Sequence, residues 1–282
     1  MALTSNRAVV MGYDGSDYSM QALYWAMDEA ELRRSPLIVM HAWSWPYGEA
    51  SEEAKSHLRN AAEHVLWHGA DCARSCSTVA EVRADLHEGS ASERLAELSG
   101  EAGLVVVGSR GLGATERAAV GSVAVHVASH ASCPVIVVRG AGPIPVPAHP
   151  GPLVVGVGSA PDDAVMGFAF KEAELRRVRL VALQAEPAPA SRAVATPFAR
   201  AGESVVPPCQ DDALRMRLKP WQEEHPLVRV DTSVVTMLPG SALQEASRDA
   251  SLIVVGRHEG LGPTAGALLQ EATCPVAVVP AT

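Results

Sequence analysis

The amino-acid sequence repeats itself once, and this repeat constrains the fold more than any other feature. Three blocks recur in the same order: EAELRR at 29–34 and 172–177, LVVVG at 104–108 with LIVVG at 252–256, and CPVIVV at 133–138 with CPVAVV at 274–279. Their offsets are 143, 148 and 141 residues. A solenoid would contain more copies of a shorter unit. The repeat therefore predicts two tandem copies of one domain.

The length and a proline-rich stretch set the expected domain boundaries. The chain has 282 residues, the length of two domains of about 150 residues each. Residues 139–152 contain five prolines, which neither continue a helix nor pair within a central strand. We therefore predict a first domain over residues 1–142, an extended linker over 143–152 and a second domain over 153–282.

Each copy alternates short apolar runs with segments of helical periodicity. The predicted strands are 8–13, 37–43, 78–86, 104–108 and 134–138 in the first copy, and 153–157, 180–184, 228–235, 252–256 and 275–279 in the second. The predicted helices of the first copy are 18–34, 49–76, 91–98 and 121–129, and an irregular loop is expected over 186–208. Val-rich strands that alternate with helices are typical of a parallel sheet covered on both faces. The predicted fold class is α/β.

Charge and composition exclude several function classes. The net charge is −9, from 23 basic and 32 acidic residues, and no basic run occurs, which argues against nucleic acid as a partner. No segment approaches the roughly 18 consecutive apolar residues of a membrane span, and no signal peptide is visible. Five cysteines, an odd number, do not suggest a secreted disulfide framework. We therefore expect a soluble, cytoplasmic protein that contacts no membrane.

One glycine pattern of the first copy suits phosphate binding. Ligands of open α/β sheets lie beyond the carboxyl ends of the strands, where Asp14 follows the first strand. The fourth strand ends at Gly108, and Gly111, nine further residues and Gly121-Ser122 lead into a helix. Such a helix start offers free N–H groups, and Arg110 adds a positive charge. The alternative is that these glycines make an ordinary turn and that Ser122 caps a helix.

These residues resemble the universal stress protein family. The resemblance rests on Asp14, on the motif from Gly108 to Ser122 and on the closing PVIVV strand, and it covers about residues 6–139. It implies Rossmann-like domains of the adenine nucleotide alpha hydrolase-like type, each with five parallel strands in the order 3-2-1-4-5. It also implies ATP or another adenine nucleotide as ligand, with or without Mg²⁺, a role in the stress response, and pairing of domains or chains through the last strands.

The resemblance also implies roles for particular residues. Asp14 matches an acidic residue beside the adenine or ribose, and Ala42 matches a backbone contact to adenine. The phosphate and ribose loop matches Val107, Gly108, Arg110 and Gly111, and the phosphate-binding helix start matches Gly121, Ser122 and Val123. No catalytic residue and no metal ligand is predicted.

The second copy departs from this pattern. At the 143-residue offset Asp14 falls on Val157, and Gly262-Pro263 replaces Gly121-Ser122. The distance from the strand-four glycine to the repeated cysteine is 25 positions in the first copy and 18 in the second. We therefore predict that the second copy binds no ATP and has a structural or docking role.

Other candidate sites are weaker. His64, His68, Cys72 and Cys76 form a stripe at helical spacing that is able to hold zinc, although core and surface packing is the simpler interpretation. His126 and His130 repeat this spacing after Ser122, and Trp43 and Trp45 follow the second strand, close to the expected adenine pocket.

Three functions remain open from the sequence. The first is a nucleotide-dependent stress regulator that is not an enzyme. The second is a slow ATPase or a nucleotide-transferring enzyme, which would need a base and acidic metal ligands, whereas Asp14 is the one carboxylate placed at the strand ends. The third is a scaffold without a ligand.

Overall fold

The computed structural model describes residues 7–45, 48, 51–112, 120–139, 151–158, 162–186 and 208–281. The first copy contains β1 (Val9–Gly12), α1 (Asp17–Arg33), β2 (Leu37–Trp43), α2 (Glu52–Cys76), β3 (Val82–Glu88), α3 (Ala91–Leu98), β4 (Leu104–Gly108), α4 (Ser122–His130) and β5 (Val135–Val138). The second contains β6 (Leu153–Gly156), α5 (Asp163–Arg176), β7 (Leu180–Ala185), α6 (Pro208–Glu224), β8 (Val230–Val235), α7 (Pro239–Ala246), β9 (Leu252–Arg257), α8 (Pro263–Glu271) and β10 (Val276–Pro280).

The predicted α/β class is confirmed, with shifts at some element ends. β3 begins at Val82 rather than at residue 78, because its pairing with β2 starts where Val82 lies opposite Leu37. α2 begins at Glu52, since the side chain of Ser51 accepts a hydrogen bond from the Ala54 N–H and caps the helix there. Most of the predicted linker over 143–152 and of the predicted loop over 186–208 lies outside the described residues.

The strands form one ten-stranded sheet in the order β3-β2-β1-β4-β5-β10-β9-β6-β7-β8. Each copy therefore has the predicted order 3-2-1-4-5, and its own strands pair in parallel. The two copies join where β5 pairs with β10 antiparallel, with Ile136 opposite Ala277. The expected pairing through the last strands thus occurs within this chain.

Successive strand residues enter two apolar layers, one on each face of the sheet. In β1, Val9 and Met11 belong to one layer and Val10 to the other, as the alternation of side chains along a strand requires. Both layers contain residues from both copies. The core is built mainly from small aliphatic side chains, and Phe170 is the largest of the fully buried side chains.

The repeated EAELRR block forms the contact between α1 and α5. Arg33 forms ion pairs with Glu29 and Glu172, and Arg176 pairs with the same two carboxylates, its Nε lying 3.2 Å from Glu172 Oε2. Both glutamates are fully buried. Burial lowers the pKa of both arginines, for Arg33 to about 9 and for Arg176 to about 10. The four charges compensate one another, and each copy supplies one glutamate and one arginine.

Two further arginines cross between the copies and bind the C-terminal ends of helices. Arg139, after β5, donates to the carbonyl oxygens of Leu269 and Gln270 in α8, with 2.9 Å to the latter. Arg257, at the end of β9, donates to the carbonyl oxygen of Ala131, the C-cap residue of α4. Cations stabilise helix C-termini because the carbonyl groups there carry partial negative charge.

Candidate functional site

A cavity of about 380 Å³ lies at the carboxyl ends of β1, β2 and β4, against the starts of α3 and α4. All nine residues predicted as ligand contacts line it: Asp14, Ala42, Val107, Gly108, Arg110, Gly111, Gly121, Ser122 and Val123. The first of them, Asp14, and the last, Val123, are more than 100 residues apart in the sequence. The cavity lies where parallel sheets bind their ligands, between β1 and β4, at which the strand order reverses.

Asp14 connects the loop after β1 to the loop after β4. Its Oδ1 accepts hydrogen bonds from the Ser16 N–H at 3.0 Å and the Ser16 hydroxyl at 2.6 Å, and its Oδ2 accepts one from the Leu112 N–H at 2.9 Å. Burial raises the pKa of the Asp14 carboxyl, but these hydrogen bonds outweigh that effect and hold the pKa below its ordinary value. Asp14 is therefore ionised and fixes both loops around the cavity.

Two glycines of the β4 loop leave no room for a side chain. A Cβ atom on Gly108 would lie 2.7 Å from the Tyr18 carbonyl oxygen, and one on Gly111 would collide with Asp14 Oδ2. Gly121 then closes the loop, because its N–H donates to the Ser109 carbonyl oxygen at 2.7 Å. Glycine is thus required at positions 108 and 111, by the close approach of α1 and of Asp14, whereas a Cβ atom on Gly121 would meet its nearest neighbours at 3.6 Å.

The start of α4 differs from the starts of the other helices in the first copy. α1, α2 and α3 are capped by the side chains of Ser16, Ser51 and Ser90, whereas α4 follows Gly121 without a side-chain cap. The first N–H groups of α4 therefore have no side-chain cap, and the residues that carry them, from Ser122 on, line the cavity. An uncapped helix start at a cavity is a site for an anion.

Arg110 is the one arginine or lysine among the described residues that line this cavity. Its Nη1 donates to the Tyr18 hydroxyl at 3.2 Å, and its guanidinium lies over the Tyr18 ring, 5.5 Å from the centroid. This contact holds the guanidinium of Arg110, a residue of the cavity lining, against Tyr18 of α1. A protein with a net charge of −9 attracts an anion only through such local groups.

The opposite wall of the cavity is apolar. Leu95 and Val107 are part of this apolar lining, and a Cβ atom on Gly12 would lie 3.0 Å from Leu95 Cδ1. Ala42 lines the wall beside His41, whose Nδ1 is 2.7 Å from the carbonyl oxygen of Tyr13. An apolar wall opposite an anion site fits a ligand with a flat ring at one end and negative charge at the other.

Sequence reasoning missed one connection behind the cavity. The Tyr13 hydroxyl hydrogen-bonds His68 Nδ1 at 2.8 Å, and burial, with smaller effects of Cys72 and Asp14, raises the pKa of Tyr13 to about 12. His68 therefore supports a lining residue. The Sγ atoms of Cys72 and Cys76 lie 3.9 Å apart. Within the described ranges, no group of three or more His, Cys, Asp or Glu side chains is arranged to hold a metal ion.

The other sequence candidates lie elsewhere. Trp43 and Trp45 are not among the described residues that line the cavity. His126 and His130 stack on each other, with ring centroids 4.3 Å apart, on the helix that starts at the cavity.

The sequence matches a family of known proteins twice along the chain. The family model described as "Universal stress protein family" matches residues 5–139 and again 151–280. A universal stress protein of Mycolicibacterium smegmatis is 33% identical over 96% of this chain and 96% of its own length. The chain belongs to the universal stress protein family.

A solved structure shares the fold of the whole chain. A universal stress protein from Archaeoglobus fulgidus matches 99% of this chain and 99% of its own length with a TM-score of 0.73 and 16% identity, which shows the same tandem fold. A universal stress protein crystallised in complex with cAMP is 27% identical and matches 48% of this chain, with a TM-score of 0.38. Of the helices in the described ranges, none has both the length and the apolar character that a membrane span requires.

The second universal stress protein domain has a cavity at the corresponding place. It has a volume of about 660 Å³ and lies beyond β6, β7 and β9. The 143-residue offset assigned Val157 to the position of Asp14, and this was wrong by one residue. Val157 N donates to Leu183 O at 2.9 Å just as Tyr13 N donates to Met40 O at 2.8 Å. Gly158 therefore occupies the Asp14 position, which still leaves no carboxylate there.

The helix starts around the second cavity have lost N–H donors. α8 begins with Pro263 after Gly262, and α7 begins with Pro239 at the position that Ala91 holds in α3. Proline has no N–H group. Both Pro239 and the α8 residue Thr264 line the cavity. The second universal stress protein domain thus has a cavity at the same place, with prolines at two helix starts where the first domain has residues with an N–H group.

Proposed function

We propose that the first domain, over residues 1–142, binds ATP or another adenine nucleotide and that the chain is a nucleotide-dependent regulator of the stress response. The observation that carries this proposal is the convergence of an uncapped helix start, Arg110 and an apolar wall at one cavity. The second domain, over 153–282, would act as a structural or docking partner. We also propose that the protein is cytoplasmic and that copies of the chain associate with one another.

In this proposal, the two ends of the cavity bind the two ends of the nucleotide. The N–H groups at the start of α4, the Ser122 hydroxyl and Arg110 bind the phosphates, because each donates a hydrogen bond to an anion. Ala42 and Leu95 contact the adenine ring, which is apolar on its faces. Asp14 acts mainly by holding the loops, since its two oxygens already accept hydrogen bonds.

Mg²⁺, if it accompanies ATP, would be held by the phosphates rather than by the protein. Asp14 is the one carboxylate among the described lining residues, and both of its oxygens face N–H or O–H donors. A metal ion bound directly to Asp14 would displace the hydrogen bonds that connect the two loops.

The hydrogen bonds of Asp14 and His41 support binding of the nucleotide rather than its turnover. Phosphoryl transfer needs a base that orients the nucleophile, and it usually needs acidic metal ligands. Asp14 is engaged as a structural acceptor, and His41 Nδ1 is bonded to the Tyr13 carbonyl oxygen. A slow ATPase or a nucleotide-transferring enzyme remains the second candidate, and a scaffold without ligand the third.

The position of α4 suggests how a bound nucleotide would be sensed. The N-terminus of this helix faces the cavity, and its C-cap residue Ala131 accepts the hydrogen bond from Arg257 of the other domain. Val123 and Val125 are each 36% exposed on the same helix. A ligand that orders the start of α4 would therefore act on both the domain contact and an exposed surface.

Calorimetry tests the proposal through affinity and stoichiometry. We expect one ATP per wild-type chain and loss of binding in Ala42→Trp, because the indole would fill the cavity. ATP turnover well above background that falls in Ser122→Ala would favour the enzyme. An empty site at millimolar ATP would support the scaffold. Nucleotide released on denaturing protein purified without added ATP would provide independent support.

A further inference from the structure

Two cysteines at the end of α2 lie in contact with each other. Cys72 and Cys76 are four residues apart in the sequence, and their Sγ atoms are separated by 3.9 Å. Both are free thiols, and Cys76 is exposed while Cys72 is half-buried. Neither is among the described residues that line the first cavity. An exposed thiol that touches a second thiol differs from the buried structural cysteines of a core, which are inert.

Cys133 and Cys274 show the properties of an unreactive thiol in this fold. Each is 5% exposed, and burial raises the pKa of both thiols to about 12. Each thiol donates to the carbonyl oxygen of the proline that follows it, at 3.5 Å for Pro134 and 3.4 Å for Pro275. Such thiols react slowly with oxidants, because the thiolate is the nucleophile. They are an internal reference for the pair on α2.

The two members of the pair differ in their surroundings. Cys76 is the last residue of α2, and the backbone of the next residue, Ser77, is extended. Cys72 faces α1, where it forms a hydrogen bond with the Tyr24 side chain. Burial raises the pKa of Cys72, as does its neighbour Cys76, and the contact with Tyr24 offsets this only in part. Cys76 is therefore placed to meet an oxidant from solvent first, and Cys72 to react second.

The position at the helix end provides the movement that a disulfide needs. Side chains four residues apart on a helix have Cβ atoms about 5–6 Å apart, whereas the Cβ atoms of a disulfide are about 3.5–4.5 Å apart. A bond between Cys72 and Cys76 therefore requires the last turn of α2 to open. Because this turn is terminal, its opening breaks few hydrogen bonds and leaves the rest of the helix intact. A disulfide formed under such strain is easily reduced again, as is typical of regulatory disulfides.

We infer that Cys72 and Cys76 form a reversible oxidation site for hydroperoxides. With hydrogen peroxide, the Cys76 sulfur attacks one oxygen, the O–O bond breaks, and a sulfenic acid forms at Cys76 as one water leaves. The Cys72 sulfur then attacks the Cys76 sulfur, the S–O bond breaks, and a second water leaves with the Cys72 proton. The two sulfurs together lose two electrons, which reduce the peroxide to two waters. A small thiol reverses the oxidation by exchange and becomes a disulfide itself.

The oxidation site lies beyond the part of α2 that supports the first cavity. His68, one turn before Cys72, bonds the hydroxyl of the lining residue Tyr13 at 2.8 Å. Gly69 packs on the Tyr13 ring, where a Cβ atom would lie 2.7 Å from Tyr13 Cδ1. Opening of the last turn alone leaves these contacts in place. The first domain would therefore respond to an oxidant at the end of α2 and to a ligand at its cavity.

Peptide mapping of the full wild-type chain tests the inference, because Arg74 lies between the two cysteines. Trypsin places them on separate peptides, 60–74 and 75–83. The chain is treated with millimolar hydrogen peroxide, unfolded, alkylated with iodoacetamide and digested without reductant. We expect mass spectrometry to find the two peptides joined, and to find them separate and alkylated after treatment with dithiothreitol. Cys133 and Cys274 should be recovered in alkylated form throughout.

Two matched variants separate the two steps of the reaction. In Cys72→Ser, the sulfenic acid at position 76 has no second thiol to react with, so dimedone, which alkylates sulfenic acids, should label peptide 75–83. In Cys76→Ser, peptide 60–74 should stay unlabelled. Serine is close to cysteine in size, and circular dichroism checks that both variants keep their helix content.

Several results would overturn the inference. They are peptides that stay separate after peroxide treatment, a disulfide from either cysteine to another position, and a dimer on a nonreducing gel, which would indicate a bond between chains. Oxidation of Cys133 and Cys274 as fast as that of the pair would also overturn it, as would dimedone labelling of Cys76→Ser but not of Cys72→Ser. None of these measurements depends on the proposed nucleotide site.

Discussion

The two domains share one framework and differ at the rims of their cavities. Gly12 packs over Leu95 as Gly156 packs over Leu243, with the same 3.0 Å spacing. At the rim, however, Ser122 corresponds to Pro263, and the loop before it is seven residues shorter. The two cavities thus differ in a few loop and helix-start residues, while the buried strands place both at the same position of the fold.

The buried ion pairs between α1 and α5 test whether the two domains contribute equally to stability. Glu29→Ala and Glu172→Ala each leave two buried arginines short of a carboxylate, so each should lower the free energy of unfolding by about 3–5 kcal/mol. Urea unfolding followed by circular dichroism measures this, with Glu63→Ala, which removes an exposed ion pair with Arg59, as the control. A much smaller loss for one glutamate would show that the domains contribute unequally.

The anion groups of the first cavity should each contribute to ATP affinity. Arg110→Ala and Ser122→Ala should weaken ATP binding about tenfold or more, because each removes a hydrogen bond to charged phosphate. Matched controls are Arg59→Ala on α2 and Ser129→Ala at the far end of α4. Calorimetry measures both sets, and an equal loss in variant and control would contradict the assigned phosphate end.

Asp14 has no counterpart in the second domain, so its substitution should affect only the first cavity. Asp14→Asn replaces one carboxylate oxygen with an NH₂ group, which cannot accept the hydrogen bonds that Asp14 receives from N–H and O–H groups. The substitution should lower the free energy of unfolding by about 1–3 kcal/mol. The lowered pKa means that folding favours the ionised carboxylate. Its stabilisation is complete above about pH 4 and is lost as pH falls through the lowered pKa.

The acid limb of the stability profile tests the sign of this effect. Thermal melts of the wild type and Asp14→Asn between neutral pH and about pH 3 should converge as Asp14 becomes protonated. Curves that stay parallel would show that the carboxylate is not preferentially ionised in the folded protein.

Restoring the first domain's residue in the second should have the smallest effect. Pro263→Ser returns an N–H and a hydroxyl to the start of α8, but it also returns conformational freedom to the unfolded chain. We expect a loss of about 0.4–1 kcal/mol in stability and no ATP binding, since the shorter loop remains. Calorimetric binding of ATP to Pro263→Ser would mean that one proline alone accounts for the difference.

Much of the fold was predictable because its signals are local. Val-rich runs fix the strands, and glycine spacing together with the strand ends gathers Asp14, Arg110 and Ser122 at one cavity. The repeated EAELRR block was visible, but its role was not, because the ion pairs of Glu29 with Arg176 depend on how β5 meets β10.

The antiparallel junction of β5 with β10 has a consequence for assembly. In a protein made of single domains, this edge would be exposed, and subunits would meet, separate and exchange partners. Here the covalent chain supplies the partner at a fixed ratio and holds it permanently nearby. Because the two halves are never interchanged, one could specialise while the other kept its original chemistry. In this respect the two domains correspond to the two different subunits of an obligate heterodimer, joined in one polypeptide.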